Sequence, residues 1–446
     1  MDIKPSIRHG KPTEARANEA RRVVWATFLG TTIEWYDFFL YAACAALVFG
    51  PQFFPSDNPT AGQLGAFATF AVGFLIRPLG GALAGHFGDR IGRKKMLVLS
   101  LMVMGVATVL VGLIPTYEQI GMWAPVLLIV MRLFQGLGVG AEWGGAVTMA
   151  VEHAPENKKS LYGAAPMAGL PAGLLLANLA LIILIAVTGA NFTTWGWRVA
   201  FLFSFVLIVV GVWSRKQLGE SPLFEESVKK APVRVPLITL FKEHKLALVC
   251  TVFIAGVPGI LSYLVLTWAL TYGTTVIGYE RQVLLWIGIA VCLIQIVMLP
   301  WLASLADKSS YLRMSMIGAG AMAVTAVVFF PLFSTGNVLL AVIATVVAHA
   351  STTLVWAVVP SILTNAFPVE IRYTGISMAY QFGGIIGGGI APLIATALLA
   401  STGSTMPISL YVVVACAVMF VSIMVLRRYR GSIDNATQRK STRSGI

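Results

Sequence analysis

Twelve apolar stretches leave this chain few ways to fold: approximately 23–50, 61–86, 96–114, 121–152, 158–189, 197–214, 246–273, 282–305, 314–333, 337–366, 374–400 and 407–426. Most of them reach or exceed the ~20 residues that an α-helix needs to cross the hydrocarbon of a bilayer. Charged residues make up 11% of the chain, against about 25% in soluble domains. The expectation is an all-α polytopic membrane protein of twelve transmembrane helices, the longer ones tilted or extending past the lipid.

The net charge of +13 would elsewhere suggest nucleic acid, but its distribution points to topology. Lys and Arg gather in alternate connections. These are residues 1–22, the 2–3 connection (Arg90, Arg93, Lys94, Lys95), the 4–5 connection (Lys158, Lys159), residues 215–245 with Arg215 and Lys216, and the tail. Opposite connections hold only Arg198 and Arg281. The positive-inside rule makes the basic side cytoplasmic, so both termini are expected there, in a multi-pass protein of the cell's inner membrane. Residues 1–22 contain no early apolar region or cleavage site, so the first helix is expected to be retained. Cys44, Cys250, Cys292 and Cys416 sit singly in separate apolar runs. With no metal-ligand spacing they read as packed thiols, and neither a metal nor a cofactor is expected.

Residues 215–245 are polar, contain Pro222, Pro232 and Pro236, and divide the spans six and six. The predicted organisation is an N-terminal segment at 1–22, a six-helix bundle at 23–214, a cytoplasmic linker at 215–245, a second bundle at 246–426 and a tail at 427–446. Two echoes favour duplication. Leu305-Ala306-Asp307-Lys308 follows span 8 as Gly88-Asp89-Arg90 follows span 2, and the stretch 367–375, with Glu370 and Arg372, echoes 154–163 after span 4.

Function is expected where charge enters the spans, since a carboxylate at mid-bilayer costs roughly 2.5–3.5 kcal/mol on insertion scales. Span 1 reads Ile33-Glu34-Trp35-Tyr36-Asp37-Phe38-Phe39-Leu40-Tyr41. Spacings of three and four residues put Glu34, Asp37 and Tyr41 on one helix face. With Arg77, Arg132 and Glu142, these two acids are the ionisable carboxylates and bases deep in the spans, and all five lie in the first half. The second half offers polar and aromatic groups such as Tyr263, Thr267, Trp268, Gln295, His349, Trp356, Tyr380 and Gln381. Three acids and two bases sum to −1, which one proton would neutralise. A substrate carboxylate would add a further negative charge, suited to the planar, always-charged fork of an arginine. Proton coupling is therefore assigned to Asp37, with Glu34, Arg132 and Glu142. Substrate binding is assigned to Arg77, Tyr41 and Arg132, with Tyr263, Trp268, Gln295, Tyr380 and Gln381 giving shape and hydrogen bonds. The competing reading is a static ion-pair network that fixes helix register. His349, alone on an apolar span, reads as a packed or hydrogen-bonded histidine before a proton relay.

Between spans 2 and 3 the chain reads Gly85-His86-Phe87-Gly88-Asp89-Arg90-Ile91-Gly92-Arg93-Lys94-Lys95. Its glycines permit a tight turn and close helix approach. Asp89 is available to a helix N-terminus or a cation, and Arg93 to an acidic helix end such as Glu152. Span 4 reads Arg132-Leu133-Phe134-Gln135-Gly136-Leu137-Gly138, continuing to Gly140-Ala141-Glu142-Trp143-Gly144-Gly145. These stretches resemble the 2–3 loop signature and the Arg-x-x-Gln-Gly-x-Gly signature of the major facilitator superfamily. With Glu34–Phe38 and Arg77-Pro78-Leu79-Gly80-Gly81, the chain resembles that superfamily's metabolite:proton symporter family. Residues 66–78 and Trp195-Gly196-Trp197-Arg198 are most similar to shikimate-type members.

The resemblance implies a monomeric secondary transporter working by alternating access, not an enzyme. Implied substrates are anionic or zwitterionic: shikimate, 2-oxoglutarate, citrate, other carboxylates, or proline and betaine, carried with a proton. It also implies that Gly85, Gly88, Asp89, Arg90, Gly92 and Arg93 latch the halves together with Glu152, with Asp307, Glu370 and Arg372 as the matching second-half residues. The second-half copy lacks the trailing Gly-Arg-Lys, so a symmetric gate is not expected. Gly136, Gly138 and Gly140 are expected to pack on a neighbouring helix, having no preceding strand for a dinucleotide loop. Small residues of span 5 (163–173) and span 11 (383–389) read as close-packed faces on which the halves rock. Two alternatives stay open. One is a proline or betaine symporter, although the short tail lacks the coiled coil of osmosensing members. The other is a drug or metabolite exporter, which an arginine-rich interior disfavours. No P-loop occurs, and the scattered histidines and cysteines supply no nucleophile–base pair for an enzyme.

Overall fold

The apolar runs become helices whose prolines and glycines decide where they bend. The computed structural model describes residues 14–55, 59–221 and 236–443. Residues 1–13 of the expected N-terminal segment 1–22, most of the linker (222–235) and the last residues 444–446 lie outside the described residues. Span 1 is Glu14–Cys44, and span 2 is two segments, Pro59–Leu75 and Arg77–Ile91. Spans 3 to 6 are Arg93–Leu113, Trp123–Glu152, Lys159–Thr188 and Gly196–Lys216. After a short helix, Pro236–Glu243, span 7 starts as Lys245–Tyr263 and continues through π-helical turns to Ile277. Spans 8 and 9 are Arg281–Lys308 and Tyr311–Phe333. Span 10 is Val338–Trp356 with Val359–Ala366, span 11 is Arg372–Gly384 with Ala391–Thr402, and span 12 lies within Met406–Arg443.

Ten of these helices are individually long and apolar enough to cross a membrane. Span 1 qualifies together with its continuation Leu47–Phe53, from which it bends by 44°. Span 2 makes the twelfth: backbone bonds from Ile76 to Val72 and from Gly80 to Ile76 carry the helix through the Arg77-Pro78 junction. Large apolar side chains such as Leu75, Val187, Val297 and Leu393 are exposed on the outer faces. A belt of that extent is at home in lipid, not in water. All four cysteines are buried free thiols.

Helix contacts are made where a Cβ would intrude. In the first bundle Gly136 and Gly140 of span 4 lie against the span 2 backbone at Gly73 and Arg77, and Gly138 lies against Ser100 and Met104 of span 3. This is the packing role expected of the glycine run. Gly169 and Gly173 of span 5 meet Thr31, Thr32, Trp35 and Tyr36 of span 1. Gly383 and Gly387 of span 11 meet Gly256 and Gly259 of span 7. Gly169, Gly173, Gly383 and Gly387 thus hold helices together inside each bundle. Other small residues, Gly163 of the same span 5 face among them, meet the opposite bundle. Gly81, Gly85 and Gly88 of span 2 and Gly144 and Gly145 of span 4 lie against Tyr373, Thr374 and Ser377 of span 11, and Gly163 of span 5 lies on Pro360.

Candidate substrate site and gate

A cavity of about 260 Å³ lies between the bundles, walled by span 1 (Trp35, Phe39), span 5 (Leu170, Leu174, Asn178), span 7, span 8 and span 10. Tyr263, Trp35, Leu170 and Trp356 are shared with a smaller chamber of about 50 Å³ that Arg77, Phe74, Tyr380 and Gln381 complete. Arg77 is 8% exposed, and its guanidinium carbon lies 4.3 Å from the Phe74 ring centroid and 4.7 Å from that of Phe38. Aromatic faces of this kind hold a cation where water cannot. Its Nε is buried without an acceptor, and no ion pair joins it to a carboxylate among the described residues. Glu34, Tyr263 and Tyr380 are its electrostatic neighbours.

Of the span 1 acids, Asp37 points into the first bundle. Asp37 accepts a hydrogen bond from Ser204 Oγ at 2.8 Å through Oδ1, while Oδ2 is buried without a partner among the described residues. Glu34 is buried too, with Oε2 unpartnered on the same terms. Arg132 donates to Gln135 Oε1 at 3.3 Å and lies 4.1 Å from the ring centroid of Tyr41, with Asp37 and Arg77 as its charged neighbours. Tyr41 shares a 2.6 Å hydrogen bond with Thr69 and so sits beneath Arg132, away from the main cavity. Glu142 has a different arrangement. Both of its oxygens accept from Arg215, and Ser100 Oγ donates to it at 3.0 Å. Arg215, which the sequence places with the linker charges, lies on the last turn of span 6 and is 1% exposed. It joins the five charges expected deep in the first half and changes their sum: three acids now face three bases.

In the second bundle Tyr263 and Gln295 line the main cavity and Tyr380 and Gln381 the smaller chamber. Gln381 also donates to Gly140 O at 3.1 Å, and Tyr380 stacks on Trp143 with ring centroids 3.5 Å apart, so both tie span 11 to span 4. Trp268 is not brought to the cavity. It stacks on Tyr272 and donates to Thr396 Oγ1 at 3.1 Å within its own bundle. His349 lines the cavity with both ring nitrogens buried and, among the described residues, unpartnered.

At one end of the molecule the bundles are bolted together. Asp89 accepts from the backbone N–H of Tyr373 (3.2 Å) and Thr374 (3.0 Å) and from Thr374 Oγ1 (2.7 Å), capping the first turn of span 11. Asp307 does the same for span 5, accepting from Ser160 N at 2.7 Å and Leu161 N at 2.9 Å. A carboxylate suits a helix N-terminus, whose N–H groups are otherwise unpaired. Gly85 and Gly88 let the helices close onto Thr374 and Tyr373, and Gly92 (φ +115°) makes the turn into span 3 that side-chain-bearing residues resist. Arg93 pairs with Glu152 and donates to Val369 O at 2.9 Å; Glu152 also accepts from Arg372 at 2.7 Å. Arg90 is exposed, outside this network, and Glu370 is half-buried on the turn Val369–Ile371. The sequence reading missed two members. Glu220 accepts from the backbone N–H of Arg93 and Lys94, and Ser221 bonds both Glu152 and Arg93. The start of the linker is part of the bolt.

The Major Facilitator Superfamily sequence profile matches residues 25–346. The chain belongs to the major facilitator superfamily. It is 37% identical over 416 residues to the shikimate transporter of Escherichia coli K12, covering 92% of this chain and 95% of that one. It is 38% identical over 420 residues to the inner membrane metabolite transport protein YhjE of the same organism, covering 93% and 95%. In fold it is similar to the solved proton:xylose symporter XylE, with a TM-score of 0.75 at 16% identity over 93% of this chain and 96% of that one. The facilitator fold gives the two bundles their meaning: this is a polytopic membrane transporter for small molecules, and not an enzyme.

Proposed function

We propose that this facilitator is a proton-coupled symporter that imports a small organic acid across the cell's inner membrane by alternating access. One observation carries the reading: a buried guanidinium, Arg77, lies on aromatic rings at the boundary of the bundles with no carboxylate paired to it among the described residues. Such a group favours a bidentate anionic guest. The likeness to a shikimate transporter along almost the whole chain supports the same substrate class.

Charge balance supplies the coupling. Arg215 cancels Glu142, leaving Glu34 and Asp37 against Arg77 and Arg132. The interior is neutral when empty, and a carboxylate entering alone would leave a net negative charge in a low-dielectric site, which is costly. A proton entering with it restores neutrality. Asp37 is the proposed acceptor, having one oxygen anchored by Ser204 and the other unpartnered. By the basic-side rule the Asp89–Arg93 end is cytoplasmic. The bolted arrangement is then the outward-oriented state, and the import step requires the Asp89 and Glu152 contacts to break.

The test is uptake into proteoliposomes of a panel of carboxylates and zwitterions, with and without an inward proton gradient. Gradient-driven uptake of a carboxylate is expected. Uptake of betaine or proline and of no carboxylate would replace the organic-acid reading with the osmolyte one.

A further inference from the structure

The larger cavity holds a polar group for which the transport reading gives no task. His349 is 3% exposed, on span 10, with neither ring nitrogen bonded among the described residues. Gln295 of span 8, 7% exposed, lines the same wall, as does Ser262. A neutral imidazole carries one donor and one acceptor. Burying either without a partner costs about 1–3 kcal/mol, so a helix is not expected to keep such a residue in an apolar cavity unless something else completes it. None of the residues lining this cavity is Asp, Glu, Lys or Arg. A second carboxylate or an ammonium would therefore meet no countercharge there. A hydroxyl can donate to the ring's acceptor nitrogen or accept from its N–H, whichever faces the cavity, and brings no charge. Trp35, Tyr263 and Trp356 wall both this cavity and the Arg77 chamber, so the two adjoin.

We infer that His349, supported by Gln295, is the hydroxyl-reading subsite of the transporter, and that its substrate is a hydroxylated monocarboxylate held by Arg77 at one end and His349 at the other. This rests on the organic-acid reading above. It assigns specificity to the second bundle, residue by residue, where the first bundle holds the charge.

The experiment compares uptake of an alicyclic hydroxy acid with that of its deoxy counterpart, in proteoliposomes of the wild type, H349F, H349Q and Q295M. The wild type is expected to favour the hydroxy acid. In H349F the KM for the hydroxy acid should rise about tenfold or more, while that for the deoxy acid changes little. H349Q, which keeps a donor and an acceptor, should recover part of the preference, and Q295M should lose a smaller part. The deoxy acid doubles as a check that each variant is folded. Should H349F transport nothing, H349Q and Q295M decide. Equal losses for both acids, or an unchanged preference in H349F and Q295M, would overturn the assignment and leave the carboxylate reading standing. A wild type that takes up neither these nor any other carboxylate overturns both.

Discussion

In the first bundle Glu34, Asp37, Arg77 and Arg132 lie buried, the two arginines on aromatic rings; the second bundle lines the cavity and its Arg77 chamber with Tyr263, Gln295, His349, Tyr380 and Gln381. Both halves have the same six-helix plan, yet one holds the deep charge and the other neutral hydrogen-bonding groups. Charges in lipid need neighbours that balance them, so concentrating them in one bundle lets each acid and base offset another. Neutral groups carry no such requirement and are free to follow the shape of a solute. The latch divides similarly. Asp89 and Asp307 cap the helices opposite them in a near-symmetric pair, but the cations Arg93 and Arg372 converge on a single acid, Glu152, with no second-half equivalent among the described residues.

Substitution of Arg77 should break the comparison most severely. R77M is expected to raise the KM for the carboxylate by about a hundredfold or more, and R77K less, since truncating a buried charge that pairs with a ligand costs about 2–5 kcal/mol. A change of the same size on replacing Tyr263 by Phe would mean that the charge is not concentrated where we place it. R215M should destabilise the protein by about 3–5 kcal/mol by stranding Glu142, as read by thermal unfolding in detergent, and E142Q/R215M should recover much of the loss. Failure of the double variant to recover would point to a role for Glu142 beyond pairing.

Weaker effects sharpen the asymmetry of the latch. E152Q, which removes the shared partner of two arginines, should shift the resting state toward inward opening more than D307N does. Labelling rates of a cysteine introduced in the cavity, with reagents applied to either side, measure this. D89N should fall between them, Asp89 accepting one more hydrogen bond than Asp307. S221A should give the smallest shift, about 1 kcal/mol or less.

Much of this was legible in the chain. Apolar length gave the spans, and the resemblance of Gly85, Gly88, Asp89 and Arg93 to the 2–3 loop signature implied a latch, whose Arg93–Glu152 pairing the structure contains. Arg215 was not legible, because a basic residue at a helix end reads as a topology signal, and its pairing with Glu142 of span 4 depends on how both pack around span 3. Trp268 could have been excluded. It lies five residues from Tyr263, beyond the three- or four-residue spacing that shares a helix face, whereas Thr267 lines the cavity. His349 stood out as a lone histidine on an apolar span, but nothing local placed it at the cavity. That spans 8 and 10 both face the cavity is a property of the fold, not of either helix alone.

The claim on which the rest depends is that Asp37 takes up a proton with each solute. It is tested most directly by recording, in proteoliposomes loaded with a pH dye, the lumenal acidification that follows addition of substrate without an imposed gradient. The wild type should acidify the lumen. D37N should not, although it still exchanges labelled for unlabelled substrate. Acidification per substrate unchanged in D37N would contradict the account.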